Sequence, residues 1–171
     1  WVLSAVCTLQ LWGGWYKAGV PIARLSYNAH EKLLGPDHEE TLISVGNLGN
    51  LLSEMGDNEG AEPLQRRALE ARERTLGPDH PHTLGSLWSL ATLLRDKGDH
   101  EGAEPLFRRE LEACERTKGP DHEDTLSSVN NLGHLLGIKG DYEGAVKFFR
   151  RELEACERTK GPDHEDTLTT K

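Results

Sequence analysis

The tetrapeptide Gly35-Pro36-Asp37-His38 determines how this sequence is read, because it returns at 77–80, 119–122 and 161–164. Successive copies lie 42 residues apart, and no residue is inserted or lost between them. A fixed period between about 20 and 50 residues is typical of repeat architectures, in which each unit contacts only its neighbours. The sequence therefore predicts a repeat array, and its function follows from what such arrays do.

Composition narrows the class of protein further. Of 171 residues, 36% are apolar and 29% are charged, which suits helices that each bury one side and excludes a disordered tail. The net charge of −9 argues against nucleic acid or an anionic membrane as the main partner. Three cysteines without a CxxC pair indicate neither a disulfide framework nor a zinc site. We therefore expect a reducing compartment and a cytoplasmic protein.

The period divides most of the chain into units. Units 1, 2 and 3 are residues 35–76, 77–118 and 119–160, and residues 161–171 open a further copy. Residues 18–34 match the second half of a unit. Because the sequence starts and stops within copies, we expect a fragment of a longer protein.

Residues 1–17 are the least regular part of the sequence. Residues 1–16 carry no charged side chain, yet the run is shorter than the roughly 20 residues that span a bilayer. It also lacks the basic start of a signal peptide. We interpret it as a degenerate repeat helix, with a wrongly placed gene start and a truncated targeting segment as alternatives.

Each unit predicts two helices. In unit 1 the first helix carries apolar residues at steps of three and four, namely Leu42, Val45, Leu48, Leu51 and Leu52. Gly56-Asp57 then reads as a helix stop followed by an N-cap. The second helix buries Ala61, Leu64, Ala68 and Leu69 by the same criterion.

The tetrapeptide itself reads as punctuation between units. Glycine accepts the left-handed backbone that ends a helix, and the proline after it prevents the helix from continuing. We expect Asp37 to cap the next helix, since Asp37 and Glu40 have the spacing of a capping box.

This helix–turn–helix pattern resembles the tetratricopeptide repeat. The matching residues of unit 1 are Val45, Leu48-Gly49, Leu52 and Ala61. Those of unit 2 are Leu87, Leu90-Ala91, Leu94, Ala103 and Phe107, and those of unit 3 are Val129, Leu132-Gly133, Leu136, Ala145 and Phe149. The usual period of that family is 34 residues. The 42-residue form is similar to kinesin light chain repeats and to sensor arrays of nucleotide-binding signalling proteins. The resemblance implies an all-α fold, a right-handed α-solenoid.

Two departures from the family pattern lie in the second helices. The small residue of mid-helix is Ala68 in unit 1, but Glu110 and Glu152 replace it later. Because a buried unpaired carboxylate is costly, we expect these glutamates to lean outward or to pair with an arginine. Gln65 stands where an aromatic residue is usual, and we expect looser packing around all these positions.

The residues that suggest chemistry have simpler explanations. His38, His80, His122 and His164 lie a whole repeat apart, so they cannot converge on one metal ion. The acidic pair Glu39-Glu40 falls in a first helical turn, where the helix dipole favours negative charge. No phosphate-binding loop or catalytic triad has supporting context. We predict no catalytic residue, no metal and no cofactor, and hence no enzyme.

Arginine pairs recur on the second helices, at 66–67, 108–109 and 150–151. Glu70, Glu112 and Glu154 each follow the first arginine by four residues, within reach of ion pairs. We interpret this ladder as a solvated, partly paired outer face, with an anion-binding stripe as the alternative.

In the family that this chain resembles, the first helices line a concave groove that holds peptides. Carrying those positions across gives Asn47, Asn50, Trp88, Thr92, Arg95, Asn130, Asn131 and His134. Asparagine can bond both backbone groups of an extended peptide, and tryptophan can anchor an interface.

The function that this resemblance implies is a non-catalytic scaffold, a kinesin light chain-like adaptor that binds a protein or peptide partner. The alternatives are a sensor or oligomerisation array of a larger nucleotide-binding protein, and the non-catalytic part of an enzyme. We also expect self-association through unfinished repeat ends.

Overall fold

The computed structural model describes residues 16–160, with side chains described for residues 19–159. Every secondary-structure element in this range is helical. The elements are α1 (Tyr16–Leu34), α2 (Glu39–Glu54), α3 (Asn58–Leu76), α4 (Pro81–Asp96), α5 (His100–Lys118), α6 (Glu123–Ile138) and α7 (Tyr142–Lys160). The all-α prediction is thus confirmed. The expectations for residues 1–15 and 161–171 lie outside the described residues.

The helices form two compact units, one ending at Leu93 and the other beginning at Leu94. In the first compact unit α1 packs on α2 and α2 packs on α3. In the second, α5 packs on α6 and α6 packs on α7. Consecutive helices therefore pack against each other, as expected for helix–turn–helix repeats.

The buried residues follow the repeat. Corresponding positions of α2, α4 and α6 are all buried, namely Leu42, Val45 and Leu48, then Leu84, Leu87 and Leu90, then Leu126, Val129 and Leu132. Burying a side chain of this size contributes about 1.5–3 kcal/mol. The apolar stripe of each first helix is therefore the main stabilising feature of the array.

The Gly-Pro-Asp-His turn contains a surprise at its helix start. Gly35, Gly77 and Gly119 have φ of 94°, 89° and 94°, so they end the preceding helix as predicted. The N-cap, however, is the histidine and not the aspartate. His38 Nδ1 accepts a hydrogen bond from the Glu40 amide at 3.2 Å, and His122 does so from Asp124 at 3.1 Å.

The prediction that Asp37 caps α2 is therefore wrong. Because α2 begins at Glu39, His38 occupies the capping position, and Asp37 lies one residue too early. The carboxylate of Asp37 instead pairs with Arg74 at 2.5 Å, which ties the start of the first helix to the end of the second.

A buried threonine completes each of these turns. Thr41 donates its hydroxyl proton to the carbonyl of Gly35 at 2.8 Å, and Thr83 and Thr125 do the same for Gly77 and Gly119. These threonines are fully buried. The hydroxyl thus satisfies a carbonyl at the end of the preceding helix, where intrahelical partners run out.

Each first helix also carries a buried serine that meets the preceding second helix. The partner changes along the chain, and the pairs are His30 with Ser44 at 2.6 Å, Arg72 with Ser86 at 2.5 Å and Cys114 with Ser128 at 3.8 Å. The 42-residue backbone period therefore accommodates different chemistry at one packing position.

Candidate functional site

In the first compact unit, the predicted groove residues of α2 lie partly exposed. Asn50 is exposed and Asn47 is half-buried. The side-chain oxygen of Asn50 accepts a hydrogen bond from Gln65 Nε2 at 2.6 Å. This contact fixes the amide of Asn50 and directs its N–H groups away from α3, where a bound peptide carbonyl can accept them.

Gln65 is a structural replacement for the expected aromatic side chain. It is 2% exposed, and its amide also donates to the carbonyl of Gly46 at 3.3 Å. A Cβ atom placed on Gly49 would lie 2.8 Å from Gln65 Nε2, so the two helices are in close contact here. The expectation of looser packing around Gln65 is wrong, because the extended amide fills the space and finds two acceptors.

On α4 the two predicted groove residues of the first compact unit behave differently. The side chain of Trp88 is 44% exposed, which is a large apolar area open to a partner. The hydroxyl oxygen of Thr92 is buried, without a hydrogen-bond partner among the described residues. Trp88 is therefore available for contact, whereas the Thr92 hydroxyl is not.

In the second compact unit, two candidates are already engaged by neighbours. Arg95 forms an ion pair with the adjacent Asp96 at 2.9 Å. Asn130 donates its amide proton to Glu152 at 2.8 Å. Their polar groups are thus held in place by the protein, as a binding surface requires.

His134 and Asn131 complete this surface on α6. The ring of His134 is exposed and meets Phe149 edge-to-face, with 5.1 Å between the ring centroids. Asn131, three residues earlier, is half-buried. Phe149 therefore supports the imidazole from below and leaves its nitrogens open to a ligand.

Glu110 and Glu152 do not behave as predicted. Glu152 takes an amide partner, Asn130, and not an arginine. Glu110 is only 7% exposed, and burial raises its pKa to about 7. The prediction that Glu110 leans outward is wrong, because the register of α5 directs it inward with Phe107 and Cys114, and protonation lowers the cost of burial.

The arginine ladder on the second helices is paired in a different direction from that predicted. Arg66 pairs with Glu62 at 2.8 Å and Arg108 with Glu104 at 2.7 Å, four residues earlier in each case. A glutamate placed N-terminal to its cationic partner is the more favourable order on a helix. The expected partners at Glu70, Glu112 and Glu154 are thus replaced.

The second arginine of a pair links successive second helices. Arg67 bonds Glu31 at 2.6 Å and also reaches Tyr27 on α1. Arg151 pairs with Glu115 at 2.5 Å. These guanidinium groups are neutralised by the protein itself, which favours the solvated outer face over an anion-binding stripe.

The side chains described show no arrangement suited to a metal ion. Among them, no group of three or more His, Cys, Asp or Glu residues has the geometry of a metal site. Between residues 16 and 160, no helix is long and apolar enough to cross a membrane.

A model of the tetratricopeptide repeat family matches residues 14–74, 46–111 and 84–151, so overlapping matches span most of the chain. No curated protein matches the chain.

Solved structures of similar repeats also match. One contains the nearly identical TPR-like repeats of a Podosopora anserina protein described as a kinesin light chain, with a TM-score of 0.84 and 21% identity. The match covers 91% of this chain and 74% of that one. BtubC (BKLC) from P. vanneervenii gives a TM-score of 0.71 at 20% identity, over 92% of this chain and 63% of that one. At these identities the likeness establishes the fold.

Proposed function

The chain belongs to the tetratricopeptide repeat family, and we propose that it is a non-catalytic scaffold that binds an extended segment of a partner protein. The binding surfaces are the exposed faces of the first helices. The observation that carries this proposal is the combination of an open Trp88 side chain, 44% exposed, with amide groups held in fixed positions at Asn50 and Asn130.

Each part of this surface suits a peptide in a different way. An asparagine amide offers both a donor and an acceptor, which matches the alternating C=O and N–H groups of an extended backbone. An exposed indole supplies a flat apolar contact, and tryptophan is enriched among residues that dominate interfaces. Because Gln65 and Glu152 already orient Asn50 and Asn130, little side-chain entropy is lost on binding.

We favour a cytoplasmic adaptor of the kinesin light chain type as the specific version. The supporting observations are the 42-residue period and the likeness to the Podosopora anserina repeats. A sensor or oligomerisation array within a larger nucleotide-binding signalling protein is the second version. A third is the non-catalytic part of an enzyme. All three versions use the same helix faces to hold a protein segment.

A peptide-library capture experiment tests the proposal. Trp88→Ala and Asn131→Ala alter one exposed face in each compact unit, and Glu70→Ala on α3 serves as the control because Glu70 is exposed on a second helix. We expect both face variants to lose captured peptides and the control to retain them. Capture that is identical for all three variants and the wild type contradicts the proposal.

A further inference from the structure

The carboxyl group of Glu110 is buried at a contact between α5 and α6. Its place in unit 1 is taken by Ala68, which is fully buried. Glu110 Oε2 is buried and has no hydrogen-bond partner among the described residues. A buried acid with an unsatisfied oxygen is costly, so its presence between two packed helices calls for a physical role.

The hydroxyl group of Ser128 on α6 lies within hydrogen-bonding reach of this carboxyl. The Ser128 proton is donated to the carbonyl of Asp124 at 3.0 Å, which leaves the serine oxygen as an acceptor. A protonated Glu110 can therefore donate to Ser128 without disturbing the serine. An ionised Glu110 has no proton to give, and Ser128 has to leave Asp124 to serve it.

The charged and titratable groups that face Glu110 within the second compact unit do not offset its burial. Lys118 and Cys114 lie on α5, and Asp124 lies on α6. Lys118 is bound to Asp124, so the cation and the anion largely cancel each other at Glu110. Burial is the largest influence on the carboxyl and raises its pKa to about 7.

We propose that Glu110 is a proton-dependent contact between α5 and α6, closed when the carboxyl is protonated and loosened when it is ionised. The neutral acid completes the hydrogen bonding of Ser128, whereas the ionised form places an uncompensated charge between two helices. The contact lies beneath α6, which also carries Asn131 and His134.

Glu152 provides an internal comparison. It occupies the same repeat position on α7, but it is half-buried and accepts a proton from Asn130 at 2.8 Å. Its carboxylate therefore has a donor at any pH at which it is ionised. Replacing Glu152 with Gln removes a carboxyl group at the same repeat position without touching the proton-dependent contact.

Amide hydrogen exchange of the full chain at pH 5 and pH 8, corrected for intrinsic exchange rates, tests the proposal. In the wild type, we expect the opening equilibrium of α5 and α6 to rise about 10- to 100-fold between these values. Glu110→Gln should abolish this rise, and Glu152→Gln should retain it. His122 and His134 titrate in the same range, but both variants keep them.

A carboxyl ¹³C titration of the wild-type chain checks the same proposal without any substitution. We expect the Glu110 resonance to titrate near neutral pH. The proposal is overturned if that resonance titrates near 4.5, or if wild type and Glu110→Gln show the same pH dependence of exchange.

Discussion

At the residue scale, Gly133 shows how closely a first helix approaches its partner. A Cβ atom at this position would lie 2.9 Å from Phe149 Cε1 and 3.3 Å from Phe148 Cβ. Both contacts are shorter than ordinary van der Waals separations, and the second involves an atom fixed near the backbone. The glycine is therefore required by the contact between α6 and α7.

Gly133→Ala should destabilise the protein although alanine favours helices. Overpacking a filled site costs about 1–3 kcal/mol, which exceeds or offsets the gain of about 1 kcal/mol in helix propensity. Gly85→Ala is the matched control, since nothing lies within 4 Å of a Cβ there. Urea midpoints should fall for Gly133→Ala and rise for Gly85→Ala, and equal shifts would show that the close contact is absent.

Glu110 makes the stability of the protein depend on pH. Its pKa rises from 4.5 to about 7 on folding, so the folded state holds the proton more tightly than the unfolded state. The contribution to stability is fully present below pH 4.5 and declines as pH rises to 7, by about 3 kcal/mol in total. Thermal unfolding should show this decline in the wild type. A curve for Glu110→Ala that follows the wild type from pH 4.5 to 8 would count against it.

Sequence reasoning located the unusual residues but not their environments. Gln65 and Glu110 stood out because they depart from the family pattern, and the structure confirms that both positions are special. Their orientation was mispredicted because the usual penalty for burying a polar group is avoided in two ways. The amide of Gln65 finds acceptors across the helix pair, and the carboxyl of Glu110 is neutralised by a proton.

At the scale of elements, the start of each first helix depends on a histidine. The sequence pattern favoured the aspartate of the tetrapeptide because aspartate is the commoner cap. Helix boundaries are uncertain by one or two residues from sequence, and a shift of one residue exchanges the roles of Asp121 and His122. The turn was thus predicted correctly, while the capping residue was not.

His122→Ala should destabilise α6 more than Asp121→Ala does. Loss of an N-cap costs about 0.5–2 kcal/mol, since the Asp124 amide is left without its acceptor. Asp121 forms an exposed ion pair with Arg158, and such pairs contribute little. Unfolding curves of the two variants at pH 8 check the order. A larger loss for Asp121→Ala would restore the aspartate as the capping residue.

At the scale of the whole molecule, three exposed apolar side chains distinguish unit 3 from unit 2. Ile138, Tyr142 and Val146 are 57%, 72% and 52% exposed. The corresponding residues of unit 2 are Asp96, His100 and Glu104. Lys139 pairs with Glu104 at 2.5 Å, so in unit 2 this surface is polar and occupied by the following turn.

We expect this surface to cause concentration-dependent self-association. Exposed apolar side chains in proximity favour association, because contact removes them from water. Exchanging them for the unit 2 residues, as Ile138→Asp, Tyr142→His and Val146→Glu together, should leave the fold intact and return the chain to a monomer. Sedimentation velocity over a range of concentrations measures the change. A wild type that stays monomeric throughout would contradict the expectation.

The fold of the array was predictable to a greater degree than its binding surface. The 42-residue period and the apolar stripes indicate the helices directly, since backbone geometry and burial repeat with the sequence. The candidate surface depends on which polar groups the protein already uses. Arg95 is paired and the Thr92 hydroxyl is buried, and spacing alone reveals neither.

The most direct test of the proposed scaffold is a nuclear magnetic resonance titration of the full chain with a captured peptide. Binding at the first helices predicts that the largest shifts occur at the Trp88 indole and the side-chain amides of Asn47, Asn50 and Asn131. Second-helix residues such as Arg66 and Glu70 should stay unchanged. Shifts confined to the second helices, with Trp88 unaffected, would contradict the account.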